Sequence, residues 1–540
     1  MHTTRQSFRA IEPLESRLLL VSAPDRYFHV ASTKVDGQSP WRGGIWLAAA
    51  TLTPLVAGAM VSVVLGRFLG PDELGQQSYI AFVQALLSAL LVGSLFSLWV
   101  RQISEARAVG DMAMVEVLSR QANVAGLVGG GISVVVLLTI GLRSDDIVSW
   151  VACAIWALAN AAALNYGART VAAFGWAAVS RHNIIWQSVA PVLAVLAVLA
   201  GWGVAGVFVA YAFSETCLAL VIRRSAPRVE RGPRWPLQPG ITRLAMAFMV
   251  QAALKAVVFN RIELFFLARW QTDTQIAMFS VAFMIVNAIL LIPGSLIGSA
   301  FPTIVRAVSA GDSNVGQTHL KPAARVIAAG SAPLAVITAT LVPPFIVWLY
   351  GDAFTDAAAI VPILALSCLV FPVATLCQTY WSARGRLRPI TVAMIVGGIA
   401  DLGLSITLIK SYGVWGAAMA NTAGQVGFSL VVVGYTWSRT PKPRDLFGRV
   451  WVAVAASAVM AAGNLVGLRL LGGLPGVFVF TVLDFIFLFG ANRLFGMLTA
   501  NDERWLLGLS PAGIRRRLQP LAHWGPAEPV AAGGDPADRG

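Results

Sequence analysis

Ionisable side chains stand inside long apolar runs of this sequence, where such groups are costly. Glu215, Lys255, Asp401 and Asp484 lie near the middle of such runs, and Arg67 lies at the end of another. A charged residue at the centre of a bilayer costs roughly 2.5–3.5 kcal/mol on insertion scales. Intramembrane ionisable groups mark ion or substrate pathways or pair with one another, so these positions are the first candidates for function.

Two pairs of polar side chains recur at a spacing of one helical turn. Tyr211 and Glu215 share one helix face. The same spacing returns 210 positions later as Asn421 and Gln425. A cavity between two related halves explains this pairing. The alternative is hydrogen bonding between neighbouring helices, which contributes only about 0.6 kcal/mol on average.

One apolar run carries four polar residues: Lys255, Asn260, Arg261 and Glu263. At 100° per residue, Asn260 and Glu263 lie about 60° apart, whereas Arg261 lies about 160° from Glu263. In a straight helix these side chains therefore cannot all face one cavity. Asp401 is a candidate partner of Lys255 across helices, or a group that titrates with coupled protons.

The elements that must position these residues are membrane helices. The 540-residue chain is 57% hydrophobic and 12% charged, about half the roughly 25% charge of soluble proteins. Its apolar runs approach or exceed the ~18–20 residues that cross a bilayer. We therefore predict an all-α polytopic membrane protein with about fourteen transmembrane helices. The predicted spans are 45–66, 77–100, 122–142, 146–167, 183–201, 203–222, 243–268, 276–302, 323–349, 358–382, 389–409, 413–437, 450–471 and 473–493.

Lysine and arginine are distributed unequally between alternate loops. With the N-terminus placed in the cytoplasm, the loops on that side hold 21 of these residues and the opposite loops hold 5. This bias in short loops sets the orientation of a membrane protein. We therefore predict a multi-pass protein of the cell (inner) membrane with both termini in the cytoplasm. The net charge of +14 then reflects topology and anionic lipid contact rather than nucleic-acid binding.

A long repeat divides the chain into halves. The pattern Gly-Val-x-Gly-x-x-x-Ala begins at Gly203 and again at Gly413, and Ala-x-Gly ends at Gly175 and again at Gly385. Duplicated halves are typical of secondary transporters with the substrate site between them. We predict two pseudo-symmetric six-helix lobes plus two extra C-terminal helices, in which Asp484 is structural. The predicted divisions are a cytoplasmic N-terminal arm (1–42), an N-lobe (43–224), a cytoplasmic linker (225–242), a C-lobe (243–437), helices 13 and 14 (438–496) and an amphipathic and disordered cytoplasmic tail (497–540).

Two kinds of chemistry find no support in the sequence. The four cysteines, Cys153, Cys217, Cys368 and Cys377, lie in apolar runs without the spacing of a disulfide framework or metal site. A nucleotide-binding P-loop is absent from the sequence. No cofactor is predicted. An H+ gradient and an Na+ gradient are the two alternatives for the energy source of transport.

With this topology in place, two stretches show a resemblance to a known family. They are the first hairpin, 64–75, and the segment from Tyr350 through 382–386 to 413–418. Both resemble the polysaccharide-transport branch of the multidrug/oligosaccharidyl-lipid/polysaccharide exporter superfamily, the O-antigen-type flippases, over about residues 43–437. Asp401 stands where the family more often has Asn, and the 270–276 loop lacks the usual Gly. These departures concern the coupling chemistry rather than the fold.

The resemblance implies a secondary transporter, not an enzyme. It would flip a lipid-linked oligosaccharide or polysaccharide precursor from the inner to the outer leaflet by alternating access. Lys255 or Arg261 would meet the phosphates of the lipid carrier, and Glu263 would handle a cation or proton. Alternatively, Arg261 snorkels outward and Glu263 contacts solvent or a neighbouring helix. Arg67 is either a phosphate contact or an interface anchor.

The implied partners are an undecaprenyl-type lipid-linked glycan, membrane lipids, and the glycosyltransferases or polymerase of the same pathway, with no nucleic acid. Alternative functions are a lipid II flippase, a cation-coupled drug exporter of the same superfamily, or a membrane polysaccharide polymerase or glycosyltransferase. Basic residues within the lobes suit an anionic substrate better than a cationic drug. The enzymes need a sizeable outer loop, whereas the predicted outer loops are only a few residues long.

Overall fold

The computed structural model describes Thr53 and residues 56–227, 239–309, 319–439 and 449–508. Within these ranges the protein is helical and has no strand, which confirms the prediction of an all-α polytopic protein. Several predictions lie outside the described residues. They concern the N-terminal arm (1–42), the start of the first span, most of the linker (225–242) and the tail beyond 508.

Sixteen helices follow one another in the described ranges. They are α1 (Val56–Phe68), α2 (Pro71–Ala108), α3 (Met112–Gly141), α4 (Ile147–Phe174), α5 (Trp176–Leu199), α6 (Gly203–Ser225), α7 (Pro239–Phe259), α8 (Glu263–Trp270), α9 (Asp273–Ser309), α10 (Lys321–Tyr350), α11 (Thr355–Ala365), α12 (Ser367–Ala383), α13 (Arg388–Arg439), α14 (Val450–Leu471), α15 (Gly473–Phe495) and α16 (Ala500–Gly508). A π-helical turn, Ala89–Gly93, lies within α2.

Each of the fourteen predicted spans has a helical counterpart. Eleven helices of the described chain are long and apolar enough to cross a membrane, and the bent pair α11 and α12 makes twelve. The 52-residue α13 contains two predicted spans, because Gly413 interrupts its helical geometry. The shorter α1 corresponds to the first span. Several helices run past their predicted ends, most clearly α2 and α9.

The repeated glycines form the turns between neighbouring spans. Gly203 and Gly413 have φ values of 53° and 54°, and Gly175 and Gly385 have 79° and 68°. These conformations favour glycine because it has no Cβ. The repeat therefore encodes the same turn geometry in both halves. At Gly413 the space is also taken, because a Cβ there would overlap Gln275 Oε1.

Two predicted spans are interrupted rather than continuous. The span predicted at 243–268 is divided at residues 260–262 into α7 and α8, which corrects the expectation of a single helix. The span predicted at 358–382 bends by 48° between α11 and α12. Pro362 and Pro372 flank that bend, and proline kinks a helix because it removes one backbone donor and clashes with the preceding turn.

Packing within the described chain separates the helices into groups. Helices α2 to α6 form one packed group, and α7 to α13 form the other. The two groups meet mainly where α2 packs against α9 and α7. This arrangement accommodates two lobes, and the predicted lobe boundaries stay predictions.

The two extra helices, α14 and α15, pack on α10. Asn464 Nδ2 donates to Asp484 Oδ2 at 2.9 Å and to Thr340 Oγ1 of α10 at 3.0 Å. Asp484 is thus enclosed in a helix-to-helix hydrogen-bond network. Beyond α15, the short α16 places Asp502 against Arg325 at 3.7 Å, near the start of α10.

The turn at Gly413 gives a stability prediction. We expect Gly413→Ala to destabilise the protein by at least about 1–2 kcal/mol, because an L-residue is strained there and its Cβ would meet Gln275. The control is Gly434→Ala in the same helix, where a Cβ meets nothing within 4 Å; it should gain about 0.5–1 kcal/mol. Thermal unfolding of the purified variants measures both. Equal unfolding temperatures for the two variants would contradict the role of the turn.

Candidate functional site

A cavity of about 480 Å³ lies between the first six helices and the segment around α8 and α9. Residues of α1, α2, α4, α5 and α6 form most of its wall, and Arg261, Ser280 and Met284 complete it. Of the residues predicted to line a substrate cavity, Tyr211, Glu215 and Arg261 do so. This is a ligand-sized site between the two groups of helices.

Glu215 is the acidic side chain of this cavity. Its Oε1 accepts a hydrogen bond from Asn160 Nδ2 at 3.0 Å, and its Oε2 accepts one from Gln187 Nε2 at 3.3 Å. Ser88 Oγ donates in turn to Asn160 Oδ1 at 2.7 Å. The network joins α2, α4, α5 and α6, and it holds the carboxylate with neutral donors.

Aromatic side chains stand beside this carboxylate. The ring centroids of Trp156 and Tyr211 lie 5.2 Å apart, and both residues line the cavity. Trp156, Asn160 and Gln187 are not among the candidate residues predicted from the sequence. Asn160 and Gln187 are amides inside apolar spans, which is a signal that could have found them, whereas Trp156 is one of 17 tryptophans.

Arg261 lies in the break between α7 and α8, and this break lets its side chain reach the cavity. The carbonyls of Arg261 and Ile262 accept hydrogen bonds from the N–H groups of Leu264 and Phe265, each at 3.0 Å, so that α8 begins immediately after the break. Arg261 lines the cavity, whereas Glu263 is fully buried away from it. One short break therefore presents opposite charges to two different sites.

Glu263 belongs to a buried polar cluster, here called the acidic cluster, made of Glu263, Asp401, Ser405, Asn421 and Gln425. All five side chains are at most 3% exposed. Ser405 Oγ donates to Asp401 Oδ1 at 3.2 Å, and Gln425 Nε2 donates to Asn421 Oδ1 at 3.0 Å. The cluster is held between α8 and the two halves of α13.

The acidic cluster is only partly satisfied by hydrogen bonds. The Glu263 carboxylate approaches Asp401 and Asn421, but neither of its oxygens has a hydrogen bond of normal geometry within the described chain. Asp401 Oδ2 and Gln425 Oε1 are likewise without one. Two neighbouring buried carboxylates cannot both carry charge at low cost.

Glycine makes the approach of Asp401 sterically feasible. A Cβ at Gly424 would lie 2.7 Å from Asp401 Cβ, and one at Gly397 would lie 2.7 Å from the Gly424 carbonyl oxygen. The two halves of α13 can therefore pack closely enough to bring Asp401 beside residues 421 and 425. Small residues allow such close approach between membrane helices.

The remaining candidate residues lie outside the cavity that contains Glu215. Glu263, Asp401, Asn421 and Gln425 do not line the cavity that holds Glu215. Lys255 is exposed, and among the described residues it forms no ion pair with Asp401. The repeat predicts that Tyr211 and Glu215 lie at the same depth in the membrane as Asn421 and Gln425. Each of these two pairs faces its own group of helices, so equal depth does not determine what the side chains contact.

Arg67 joins the two groups of helices at one end of the bundle, here called the Arg67 end. Its Nε donates to the Leu349 carbonyl at 2.7 Å, and its Nη2 donates to the Trp348 carbonyl. Both acceptors lie in the last turn of α10, where carbonyls lack helical partners. Arg67 thus acts here as an anchor between α1 and α10.

Further contacts tie α2 to α9 at the Arg67 end. Thr274 Oγ1 donates to Asp72 Oδ1. A Cβ at Gly75 would overlap the Asp273 carbonyl oxygen, so the start of α2 touches the backbone of α9 directly. With Arg67, these contacts close the Arg67 end between the two groups of helices.

Sequence and structure comparisons give different results. No protein-family model matches the sequence, and no curated protein matches it significantly. The structure is similar to lipid II flippase MurJ in an inward closed conformation, with a TM-score of 0.65, 12% identity, and coverage of 84% of this chain and 98% of that chain.

Transporters of a related family are also similar. A multidrug resistance MATE family transporter of the MOP superfamily, in an inward-facing conformation, gives a TM-score of 0.57 with 14% identity and covers 75% of this chain and 98% of its own. MATE in the bent conformation gives 0.51 with 14% identity, covering 78% and 98%. The chain has the fold of the MOP superfamily transporters. The family resemblance predicted from the sequence is thereby confirmed for the fold of this multi-pass membrane protein.

The contacts of Arg67 predict that this residue helps to keep α2 and α9 together at the Arg67 end. In the double variant Asp72→Cys/Thr274→Cys, we expect a disulfide to form readily, because the native side chains are in contact. Adding Arg67→Gln should slow disulfide formation several-fold, because it removes a charge-assisted contact worth roughly 1.5–3 kcal/mol. The rate of disulfide formation under mild oxidant measures this.

The matched control for Arg67 is Arg143→Gln. Arg143 is an exposed arginine in a loop at the same end of the bundle, and its replacement should leave the rate unchanged. An unchanged rate in the Arg67→Gln protein would show that the guanidinium does not hold this end closed.

Proposed function

We propose that the protein is a secondary transporter that flips a lipid-linked oligosaccharide or polysaccharide precursor from the inner to the outer leaflet. The observation that carries this proposal is the cavity between the two groups of helices, in which Arg261 is the cationic lining residue. An arginine there can bind the phosphates of a lipid carrier, while the lipid chain stays in the bilayer. The fold shared with MurJ supports a flippase.

The direction of transport in this proposal depends on the charge bias of the loops. That bias places the Arg67 end outside, where the two groups of helices are in contact. The conformation is then closed to the outside. In alternating access, the contacts at the Arg67 end would break and new contacts would form at the opposite end of the bundle, where most of the basic loops lie.

The acidic cluster supplies the proposed coupling site. Its two carboxylates, one hydroxyl and two amides offer oxygen ligands, which hard cations prefer. Within the described residues, no group of three or more His, Cys, Asp or Glu side chains could hold a metal ion. The donor set therefore suits a proton or a monovalent cation such as Na+, carried as a co-substrate.

Coupling would run through the break between α7 and α8. Arg261 lines the cavity, and Glu263, two residues later in the chain, belongs to the acidic cluster. Neutralisation of Glu263 and Asp401 by a cation or proton would remove negative charge near Arg261, so that Arg261 binds a phosphate in the cavity more tightly. This is a physical link between the ion and the substrate.

A reconstituted flipping assay tests the proposal. Liposomes containing the protein and a fluorescent prenyl-diphosphate-linked disaccharide are treated with dithionite, which bleaches only the outer leaflet. We expect movement of the label to accelerate under an imposed H+ or Na+ gradient. Glu263→Gln and Asp401→Asn should abolish this acceleration, because the cluster then no longer carries a titratable carboxylate pair.

Asp484→Asn is the matched control, because Asp484 is also a buried intramembrane carboxylate but lies in α15, outside the cavity and the acidic cluster. This variant should flip the label at the native rate. Gradient-independent movement in the unaltered protein would remove the coupling proposal. A cell lacking the protein that still exports its surface glycan, without accumulating lipid-linked glycan inside, would remove the flippase proposal.

A further inference from the structure

The cavity contains two opposite charges that are not paired with each other. Glu215 and Arg261 both line it. Ion pairs within 4.0 Å in the described chain join Arg101 to Glu105 and Arg325 to Asp502, and neither cavity residue takes part. The cavity therefore offers one acidic and one basic side chain to a ligand, whereas a simple anion site would offer only basic ones.

Glu215 is supported by hydrogen bonds but has no cationic partner within 4.0 Å among the described residues. Its two donors, Asn160 and Gln187, are uncharged amides. A carboxylate oxygen has two acceptor positions, so each oxygen retains capacity for a further donor. A carboxylate at 6% exposure is costly unless it is protonated or a cation approaches it. The compensating positive charge can come from the ligand.

The surroundings of Glu215 suit an ammonium group in particular. Tyr211 lies one helical turn before it, and Trp156 packs against Tyr211 with ring centroids 5.2 Å apart. Both rings line the cavity. Aromatic faces attract cations through the ring quadrupole, and the neighbouring carboxylate adds a charge-assisted hydrogen bond. Neutral hydroxyls would use only part of this arrangement.

We infer that the head group carried through this cavity is zwitterionic. Arg261 takes its phosphate, and Glu215 with Trp156 and Tyr211 takes the ammonium of an amino sugar whose nitrogen is not acylated. This inference rests on the proposed function and narrows its substrate class. The volume of about 480 Å³ is in the range of sites for small ligands, so a short portion of glycan next to the phosphate is what the site selects.

Three probes that differ only at the head group test the inference. They are farnesyl diphosphate, farnesyl diphosphate linked to glucose, and farnesyl diphosphate linked to glucosamine with a free amine. Binding to the full-length protein in nanodiscs of uncharged lipid is measured by calorimetry. We expect the glucosamine probe to bind at least about tenfold more tightly than the glucose probe, equivalent to about 1.4 kcal/mol.

Variants assign the preference to named residues. Glu215→Gln should reduce the glucosamine preference to about twofold or less, and any change in affinity for farnesyl diphosphate should be shared by the glucose probe. Arg261→Gln should weaken all three probes in parallel and keep the preference. Asp484→Asn, remote from the cavity, should match the native protein.

The outcomes separate the inference from the proposed function. Equal affinity of the native protein for the glucose and glucosamine probes overturns the inference and needs no variant, so a misfolded Glu215→Gln protein cannot obscure the result. A preference that survives in a folded Glu215→Gln protein overturns the assignment to Glu215. If none of the three probes binds but tetraphenylphosphonium does, a drug-exporter function replaces the proposed function itself.

Discussion

The cost of placing charge inside a membrane is the constraint on which the rest of this structure depends. Arg261 and Glu263 are two residues apart, and a straight helix would direct them to nearly opposite sides. The break at residues 260–262 lets each charge reach a polar site, Arg261 at the cavity and Glu263 in the acidic cluster. Because Arg261 and Glu263 are only two residues apart, the same break places a residue of the cavity next to a residue of the acidic cluster.

The duplicated scaffold carries different chemistry in its two halves. Gly203 and Gly413 adopt nearly the same positive φ, so the turns before α6 and within α13 are built alike. The polar residues after these turns have different surroundings. In the first half, Glu215 opens onto the cavity and is held by neutral amides; in the second, the corresponding amides are buried with two carboxylates. A repeated backbone thus supports a cavity wall in one half and a buried acidic cluster in the other.

Hydropathy and glycine spacing predict the helices well, because span length and turn geometry are local properties of the sequence. The contacts of the polar residues are not local. Asn421 and Gln425 occupy the predicted depth, yet their neighbours depend on Gly424, whose small size admits Asp401. The predicted Lys255–Asp401 pair is not found among the described residues, because Lys255 is exposed while Asp401 faces the interior of its own group of helices. Helix rotation and packing, which one sequence does not specify, decide these contacts.

Closure of the Arg67 end combines polar contacts with apolar packing. Arg67 donates to two backbone carbonyls, and Asp72 accepts from Thr274. Hydrogen bonds contribute about 0.5–1.5 kcal/mol each, and up to about 3 kcal/mol when one group is charged. Apolar residues of α1, α2, α9 and α10, Leu74 and Ile276 among them, also belong to one buried cluster. Opening of this end therefore has to separate buried apolar side chains as well as break a few hydrogen bonds.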